Sequence, residues 1–242
     1  MAEVKFGIVT DTLDLTGTVI KETACDHSLE EIENVLSSFR GEIDQIPPMY
    51  SAIKVNGKKL YELARKGKEI ERKPRRVNIK ELEIISFDRA EQLLKIRTVV
   101  SKGTYIRSLC DDIGKKLGSG ACMGELIRTR SGTFGIRDSV TLKQLDETKE
   151  EERDQHIIPI DSVFSMKCMK SLKTSDRLID NGNAVKADML EEYNRIPSDH
   201  DCDSFINTGE NDICVYLSDG RFAAVYRYDP DKKIYKPLKM FL

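Results

Sequence analysis

The chain has 242 residues, of which 39% are hydrophobic and 33% charged, and its formal net charge is −2 at pH 7. This length and composition predict a soluble globular protein with one large domain or a main domain and a small one, and the balanced charge restricts any nucleic-acid contact to a local basic patch. The absence of an apolar membrane-spanning run, of a secretory leader and of zinc-spaced cysteines favours a cytoplasmic protein with reduced thiols and without a bound metal.

The first predicted element is a β-hairpin. Residues 4–8 alternate apolar and polar side chains, a turn rich in Asp and Thr occupies residues 10–17, and a second strand covers residues 17–21. Asp11 and Asp14 in this turn have the chemistry of metal ligands or catalytic bases. Stabilisation of the turn is the commoner role of aspartates in such a position.

A short helix and an extended segment come next. Ser28 and Glu31 form a capping-box pattern that predicts the start of a helix. Pro47 and Pro48 disfavour helix before them, so the following residues are expected to be extended as far as an Asn-Gly turn at 56–57. A second helix is predicted after that turn.

The segment 54–76 is strongly basic. It holds ten Lys or Arg against three Glu, a local charge of +7. This makes it a candidate phosphate-binding surface. A solvated helix followed by a basic loop explains the same pattern equally well.

A strand, a tight turn and a helix are predicted around residue 103. Residues 77–84 and 93–100 read as antiparallel strands, and a helical pattern runs from Thr104 to Leu117. Gly103 permits a backbone conformation that other residues avoid, and Thr104 is expected to cap the helix.

Tyr105 and Arg107 should then project from the first turn of that helix. A guanidinium beside a helix start suits an anionic partner such as a phosphate or a catalytic carboxylate. The alternative is an ordinary surface arginine at a strand-to-helix connection.

The C-terminal half is predicted to hold two further short helices and then a small β module. The first helix includes Met123, Leu126 and Ile127, and the second begins near residue 139 and enters an acidic tract. Beyond Pro159 we expect a helix over residues 172–179, a hairpin with an Asp-Gly turn, and a last strand. The aromatic residues of this module suit base stacking, but they more often form the core of a small β domain.

Four segments, taken in order and spacing, resemble the TruB family of bacterial tRNA pseudouridine-55 synthases. They carry the patterns Thr-Asp-Thr, Pro-Pro-Met-Tyr-Ser-Ala, Ser-Lys-Gly-Thr-Tyr-Ile-Arg and Arg-Thr-Arg-Ser-Gly, within residues 6–17, 47–65, 101–109 and 126–132. The resemblance is strong over residues 3–145 and looser beyond. It implies an α+β fold with a mixed, mainly antiparallel sheet and flanking helices. It also implies a catalytic domain over residues 1–158 and a PUA-like RNA-binding β domain over residues 159–242.

The resemblance also implies a reaction. Members of this family flip one uridine of the tRNA T arm into a pocket and isomerise it to pseudouridine without cofactor or metal. Carried over, Tyr105 is the pocket tyrosine implicated in proton removal, Arg107 pairs with the catalytic aspartate, and Leu126 is an apolar pocket wall. The same resemblance, together with the basic pattern, assigns the RNA contacts to Lys54, Lys58, Lys59, Arg65, Arg128 and Arg130.

One family motif is missing from the sequence. The catalytic aspartate of the family lies in a Gly-His-x-Gly-Thr-Leu-Asp-Pro segment, which this sequence does not contain, and Asp14 belongs to the later hairpin. We therefore expect an N-terminally truncated synthase that is inactive alone, with the missing segment or a complementing chain as a partner. The alternatives are a non-catalytic tRNA-binding or tRNA-folding module, and a protein-interaction domain without an RNA role.

Overall fold

The computed structural model describes residues 1–55, 57–194 and 209–241. The chain divides into two compact units, Met1–Arg128 and Thr129–Leu242. The sequence analysis predicted a division after residue 158, so residues 129–158 belong to the second compact unit instead of the first. The assignment of a functional domain to each predicted range stays a prediction.

The first unit contains strands β1 to β9 and helices α1 to α3. They are β1 (Ala2–Phe6), β2 (Ile8–Thr10), β3 (Val19–Glu22), α1 (Leu29–Ser37), β4 (Gly41–Gln45), β5 (Lys54–Val55), β6 (Lys58–Lys59), α2 (Leu60–Ala64), β7 (Arg75–Asp88), β8 (Leu93–Val100), α3 (Ile106–Leu117) and β9 (Ala121–Leu126).

Within residues 1–55 and 57–128, an antiparallel sheet has the strand order β4-β7-β8-β1-β9. Strand β1 therefore lies between β8 and β9, with Val4 opposite both Leu94 and Met123. Strands β2 and β3 form a hairpin that begins at Ile8, and β5 and β6 form a second one. The prediction placed the first strand of the hairpin over residues 4–8, but residues 4–6 belong to β1, which pairs with β8 and β9 instead. The Asn56 position of the predicted Asn-Gly turn lies outside the described residues.

The core of the first unit lies between this sheet and the helices α1 and α3. Phe6, Ile32, Leu36, Leu109 and Ile113 are all buried in it. Helix α1 contributes Ile32 and Leu36 because these residues are four apart and therefore share one helix face. The predicted capping box is confirmed, since the Ser28 side chain accepts a hydrogen bond from the Glu31 amide and the Glu31 carboxylate accepts one from the Ser28 amide.

The prediction of a helix containing Met123, Leu126 and Ile127 is wrong. Helix α3 ends at Gly118, whose φ of 82° forms a left-handed cap, and the chain turns at once into β9. Met123 is buried opposite Val4 of β1. Pairing with a strand more than a hundred residues earlier overrides the local helical spacing of these residues.

The second unit contains strands β10 to β17 and helices α4 and α5. They are β10 (Arg130–Ser131), β11 (Phe134–Gly135), α4 (Leu142–Glu147), β12 (Lys167–Ser171), α5 (Asp176–Asp180), β13 (Val185–Lys186), β14 (Leu190–Glu192), β15 (Asp212–Tyr216), β16 (Phe222–Asp229) and β17 (Ile234–Met240). Short 3₁₀ turns cover Ile136–Asp138, Glu150–His156, Ile160–Val163, Lys173–Ser175 and Ala187–Met189.

In the described part of the second unit, a sheet has the strand order β13-β17-β16-β15-β12-β14. The pair β12–β15 is parallel and the other pairs are antiparallel. The predicted hairpin with the Asp-Gly turn is confirmed as β15 and β16. The helix predicted over residues 172–179 is shorter, because a 3₁₀ turn precedes α5.

The aromatic residues of the second unit divide between its core and its surface. Tyr216 and Tyr226 are buried, and their hydroxyls donate to Asp161 and to the Asn183 carbonyl. Half-buried Tyr228 and Tyr235 contact each other with 5.0 Å between ring centroids and an angle of 53° between the ring planes. No helix within the described ranges is long and apolar enough to cross a membrane.

Candidate active site and nucleic-acid interface

The turn that leads into α3 is held by its own polar side chains. Gly103 has a φ of 89°, as the sequence predicted, and the Ser101 hydroxyl accepts a hydrogen bond from the Asn78 amide at 2.8 Å. The prediction that Thr104 caps the helix is wrong. Its hydroxyl donates back to the Ser101 carbonyl at 2.9 Å, and the N-cap residue is Tyr105, which makes no side-chain capping bond.

The backbone of Tyr105 is bound instead by a glutamine from β4. The Tyr105 amide donates to Gln45 Oε1 at 2.8 Å, and Gln45 Nε2 donates to the Tyr105 carbonyl at 3.1 Å. Gln45 is only 2% exposed. Sequence reasoning missed this residue. Its only local signal is a polar side chain just before an apolar, proline-containing segment.

Arg107 connects two segments that are distant in the sequence. Its Nη1 donates to the Thr12 carbonyl at 3.4 Å and its Nη2 donates to the Tyr50 carbonyl at 2.8 Å. No carboxylate of the described residues forms an ion pair with Arg107. The guanidinium is therefore held in place by neutral backbone acceptors and keeps its positive charge uncompensated by a side chain of this part of the chain.

The aspartates of the first hairpin stabilise its turn, as the commoner interpretation predicts. Asp14 Oδ1 accepts hydrogen bonds from the Thr16 amide at 3.0 Å and from the Thr16 hydroxyl at 2.6 Å. Asp11 Oδ1 accepts one from the Thr18 amide at 2.8 Å. These hydrogen bonds explain why aspartates occupy positions 11 and 14 without assigning either a catalytic role.

A cavity of about 530 Å³ lies beside α3, between the Thr12 turn and the segment around Tyr50. Asp112 of α3 lines this cavity, and burial raises the pKa of its carboxyl from 3.8 to about 6. The positive charge of Lys115 opposes part of this increase. A carboxyl in this position exchanges its proton in the physiological pH range.

Four of the six predicted RNA-binding cations lie on β5, on β6 and at the C-cap of α2. We call this segment, residues 54–65, the basic hairpin. Lys54 lies directly opposite Lys59 in the β5–β6 pairing. The cationic groups of Lys59 and Arg65 each lie 5.4 Å from the centre of the Tyr61 ring. Lys58 completes the group and is exposed. Like charges directly opposite each other destabilise a hairpin, so an anionic ligand is expected to relieve this repulsion.

The remaining predicted residues lie elsewhere. Leu126 is the last residue of β9, opposite Ala2, and is 47% exposed. Arg128 is exposed at the end of the first unit, and Arg130 belongs to the second unit, where its Nε donates to the Gly132 carbonyl at 2.9 Å. The described residues contain no group of three or more His, Cys, Asp or Glu side chains arranged to hold a metal ion.

Two family models match consecutive parts of the chain. The N-terminal domain of TruB family pseudouridylate synthases matches residues 1–106. The C-terminal domain of tRNA pseudouridylate synthase B matches residues 107–165. The second match begins inside α3, so the residues around Tyr105 and Arg107 lie where the two models meet.

Two relatives cover most of the chain. It is 43% identical over 224 residues to the tRNA pseudouridine synthase B of Clostridium tetani, a match that covers 86% of this chain and 72% of that protein. It is 37% identical over 247 residues to the tRNA pseudouridine synthase B of Bacillus pumilus, covering 99% of this chain and 76% of that protein.

A solved structure shows the same fold. The whole chain superposes on 65% of a chain in a Cbf5–Nop10–Gar1 complex, with a TM-score of 0.62 and 22% identity. At this identity the likeness concerns the fold alone, but it agrees with the sequence matches. The family models and the curated relatives together show that this chain belongs to the TruB family of tRNA pseudouridine synthases.

Proposed function

We propose that this chain contributes to the isomerisation of uridine-55 in the T arm of tRNA, in the cytoplasm, with Tyr105 and Arg107 in the base pocket. In the isomerisation the bond between the ribose and uracil N1 breaks, the uracil turns, and its C5 joins the ribose. C5 then loses its proton and N1 takes one up, so the product is an isomer of the substrate. Arg107 orients a catalytic carboxylate in its ionised form, Tyr105 assists removal of the proton, and Leu126 forms an apolar wall of the pocket.

The observation that carries this proposal is the state of Arg107. Its guanidinium is fixed by two backbone carbonyls and no carboxylate of the described residues pairs with it. An arginine held in this way is prepared to bind an anion without losing the entropy of a free side chain. The aspartate that the family places against this arginine belongs to a motif that the sequence does not contain.

The basic hairpin supports tRNA as the ligand. Lys54, Lys58 and Arg65 are exposed and Lys59 is half-buried. Tyr61, near the cationic groups of Lys59 and Arg65, offers a ring that a base or ribose can contact. We assign Lys54, Lys58, Lys59 and Arg65 to phosphate contacts. Arg128 and Arg130 are proposed as further contacts.

A non-catalytic tRNA-binding or tRNA-folding module is the second candidate. It is favoured by the same arginine, because a chain that lacks the paired aspartate keeps the RNA-binding surface without the group that attacks the glycosidic bond. The two candidates differ in what a second polypeptide can restore.

The test is a tritium-release assay on T-arm tRNA labelled at uracil C5. We expect the chain alone to bind this RNA without releasing tritium, and to release it when a second polypeptide supplies the aspartate segment. Arg107→Ala should abolish that release with little loss of binding. Binding without release in every combination would favour the non-catalytic module, and failure of the chain to bind the RNA would contradict both candidates.

A further inference from the structure

We propose that Gln45 is a positioning residue for the candidate site. Its buried side-chain amide fixes the backbone of Tyr105, and thereby sets the direction in which the Tyr105 ring enters the base pocket. This inference rests on the proposed function for the role of Tyr105, but the geometry on which it depends does not involve RNA.

The contact between Gln45 and Tyr105 has the paired hydrogen bonds of two antiparallel strands, but a side-chain amide takes the place of one strand's backbone. Gln45 Oε1 accepts from the Tyr105 amide at 2.8 Å while Gln45 Nε2 donates to the Tyr105 carbonyl at 3.1 Å. The oxygen and the nitrogen of the Gln45 side-chain amide therefore bind the N–H and the C=O of the same residue, Tyr105. Two bonds to the same residue fix its orientation as well as its distance.

The glutamine is itself fixed by the sheet. Gln45 is the last residue of β4 and pairs with Arg75 of β7, so its backbone belongs to the antiparallel sheet. Its side chain is 2% exposed and has little room for another rotamer. Gln45 therefore fixes Tyr105, the N-cap residue of α3, relative to β4 at the edge of the sheet.

The residues after Gln45 bind the same helix turn. The Ser108 hydroxyl donates to the Ile46 carbonyl at 3.1 Å, and Arg107 Nη2 donates to the Tyr50 carbonyl at 2.8 Å. The segment 45–50 thus holds Tyr105, Arg107 and Ser108. Gln45 contributes two of these four bonds, and because Tyr105 has no side-chain cap, they are the bonds that define where the helix starts.

The first unit offers a matched control in Gln92. It is 7% exposed, its Oε1 accepts from the His27 amide at 3.0 Å, and its Nε2 donates to the Arg89 carbonyl at 2.9 Å. Gln92 shares with Gln45 the residue type, burial below 10%, and one accepted and one donated bond to backbone. It differs in binding two residues instead of one and in its φ of 47°, so Gln92→Met controls for the loss of a buried glutamine without acting on Tyr105.

The experiment compares Gln45→Met, Gln92→Met and the unsubstituted chain, each labelled with 3-fluorotyrosine, with the Tyr105 signal assigned by Tyr105→Phe. In Gln45→Met the Tyr105 fluorine resonance should shift or broaden, and the Tyr105 amide should exchange with solvent about tenfold faster. Gln92→Met should leave both unchanged. An unchanged Tyr105 resonance in Gln45→Met, or an equal change in Gln92→Met, would overturn the proposal.

A milder variant covers the case in which Gln45→Met does not fold. At a pH high enough to ionise the introduced carboxyl, Gln45→Glu keeps an acceptor for the Tyr105 amide and loses the donor for its carbonyl. We expect the amide to stay protected while the fluorine resonance moves. A spectrum of Gln45→Glu identical to that of the unsubstituted chain would refute the positioning role.

The link to function uses two T-arm stem-loop RNAs, one with uridine at the target position and one abasic there. The unsubstituted chain and Gln92→Met should bind the uridine RNA more tightly than the abasic RNA. In Gln45→Met the ratio of these two affinities should be about fivefold smaller. Retention of the full preference in Gln45→Met would contradict the inference. If the unsubstituted chain shows no preference, the base-pocket role of Tyr105 in the proposed function is wrong, and the fluorine spectra alone decide whether Gln45 positions Tyr105.

Discussion

The start of α3 and the basic hairpin hold their polar side chains in opposite ways. At the start of α3, Gln45 and Arg107 are each bound to two backbone groups. In the basic hairpin, exposed Lys54 and half-buried Lys59 are paired as like charges. The first arrangement fixes groups before a ligand arrives, while the second keeps charge available for an anionic ligand at some expense of stability.

The backbone contacts of the basic hairpin show that it is anchored nonetheless. The Leu60 amide donates to the Ile53 carbonyl at 2.8 Å and the Tyr61 amide donates to the Ser51 carbonyl at 3.1 Å. The difference between the two regions therefore concerns side chains more than backbone. Substitutions should accordingly have large effects on folding around α3, and small effects on folding but clear effects on RNA affinity in the basic hairpin.

The largest effect is expected for Gly114→Ala in α3. A Cβ at this position would lie 2.2 Å from the Ala121 amide nitrogen, a backbone atom of β9 that cannot move aside. We expect a loss of more than about 3 kcal/mol in the free energy of unfolding, measured by urea denaturation. Gly57→Ala in the basic hairpin is the comparison. Its Cβ meets no atom within 4 Å, and only the φ of 79° costs about 1 kcal/mol. Equal losses of stability in Gly114→Ala and Gly57→Ala would contradict the difference expected between α3 and the basic hairpin.

Replacement of Arg107 should rank second. Arg107→Met removes the donors to the Thr12 and Tyr50 carbonyls, and we expect a loss of about 2 kcal/mol in the free energy of unfolding. Arg65→Met, which removes an exposed cation stacked on Tyr61, should lose less than about 0.5 kcal/mol. A small effect of Arg107→Met would show that the two carbonyls find other donors.

Replacement of Asp112 is expected to stabilise the folded chain by an amount that depends on pH. The pKa of its carboxyl is raised by burial from 3.8 to about 6, so the folded chain disfavours the ionised form. This group therefore lowers stability as the pH rises from about 4 to above 6. Asp112→Asn should add roughly 1 kcal/mol to the free energy of unfolding at pH 7.5, after allowance for partial solvent exposure, and almost nothing at pH 4.

Asp146 of α4 is exposed and provides a control for replacing a helix carboxylate outside a buried environment. Asp146→Asn should change the free energy of unfolding by less than about 0.5 kcal/mol. An effect of Asp112→Asn that is independent of pH would contradict the buried-carboxyl explanation.

The smallest effect on stability and the clearest effect on RNA binding are expected for Lys54→Ser. Loss of the like-charge pair with Lys59 should raise the free energy of unfolding by a few tenths of a kcal/mol. The slope of log affinity against log salt for T-arm RNA should fall by about 1 if Lys54 contacts one phosphate. Lys143→Ser, on an exposed lysine of α4, is the control. An unchanged slope for Lys54→Ser would remove this residue from the RNA contacts.

The elements predicted correctly are those specified by neighbouring residues. The capping box of Ser28 and Glu31, the left-handed Gly103 and the Asp-Gly hairpin all depend on interactions within a few positions. The family resemblance predicts Tyr105 and Arg107 as site residues, and the structure shows which groups bind the Tyr105 backbone and the Arg107 guanidinium. Their catalytic roles stay predictions.

The elements that were missed depend on partners that are distant in the sequence. Strand β9 was read as a helix because its pairing with β1 outweighs its own spacing. Thr104 was expected to cap α3, whereas Gln45, sixty positions before Tyr105, binds the backbone there. The local signal of Gln45, a polar side chain before an apolar, proline-containing segment, does not predict a contact with a residue sixty positions later.

The position of β1 inside the sheet affects how the chain folds during synthesis. Its neighbours are β8 and β9, which end at residues 100 and 126, so Ala2–Phe6 emerges from the ribosome long before either partner exists. The apolar side chains Val4 and Phe6 stay exposed during that interval, and closing so long a loop slows folding. A chaperone that shields nascent apolar segments is therefore expected to bind Ala2–Phe6.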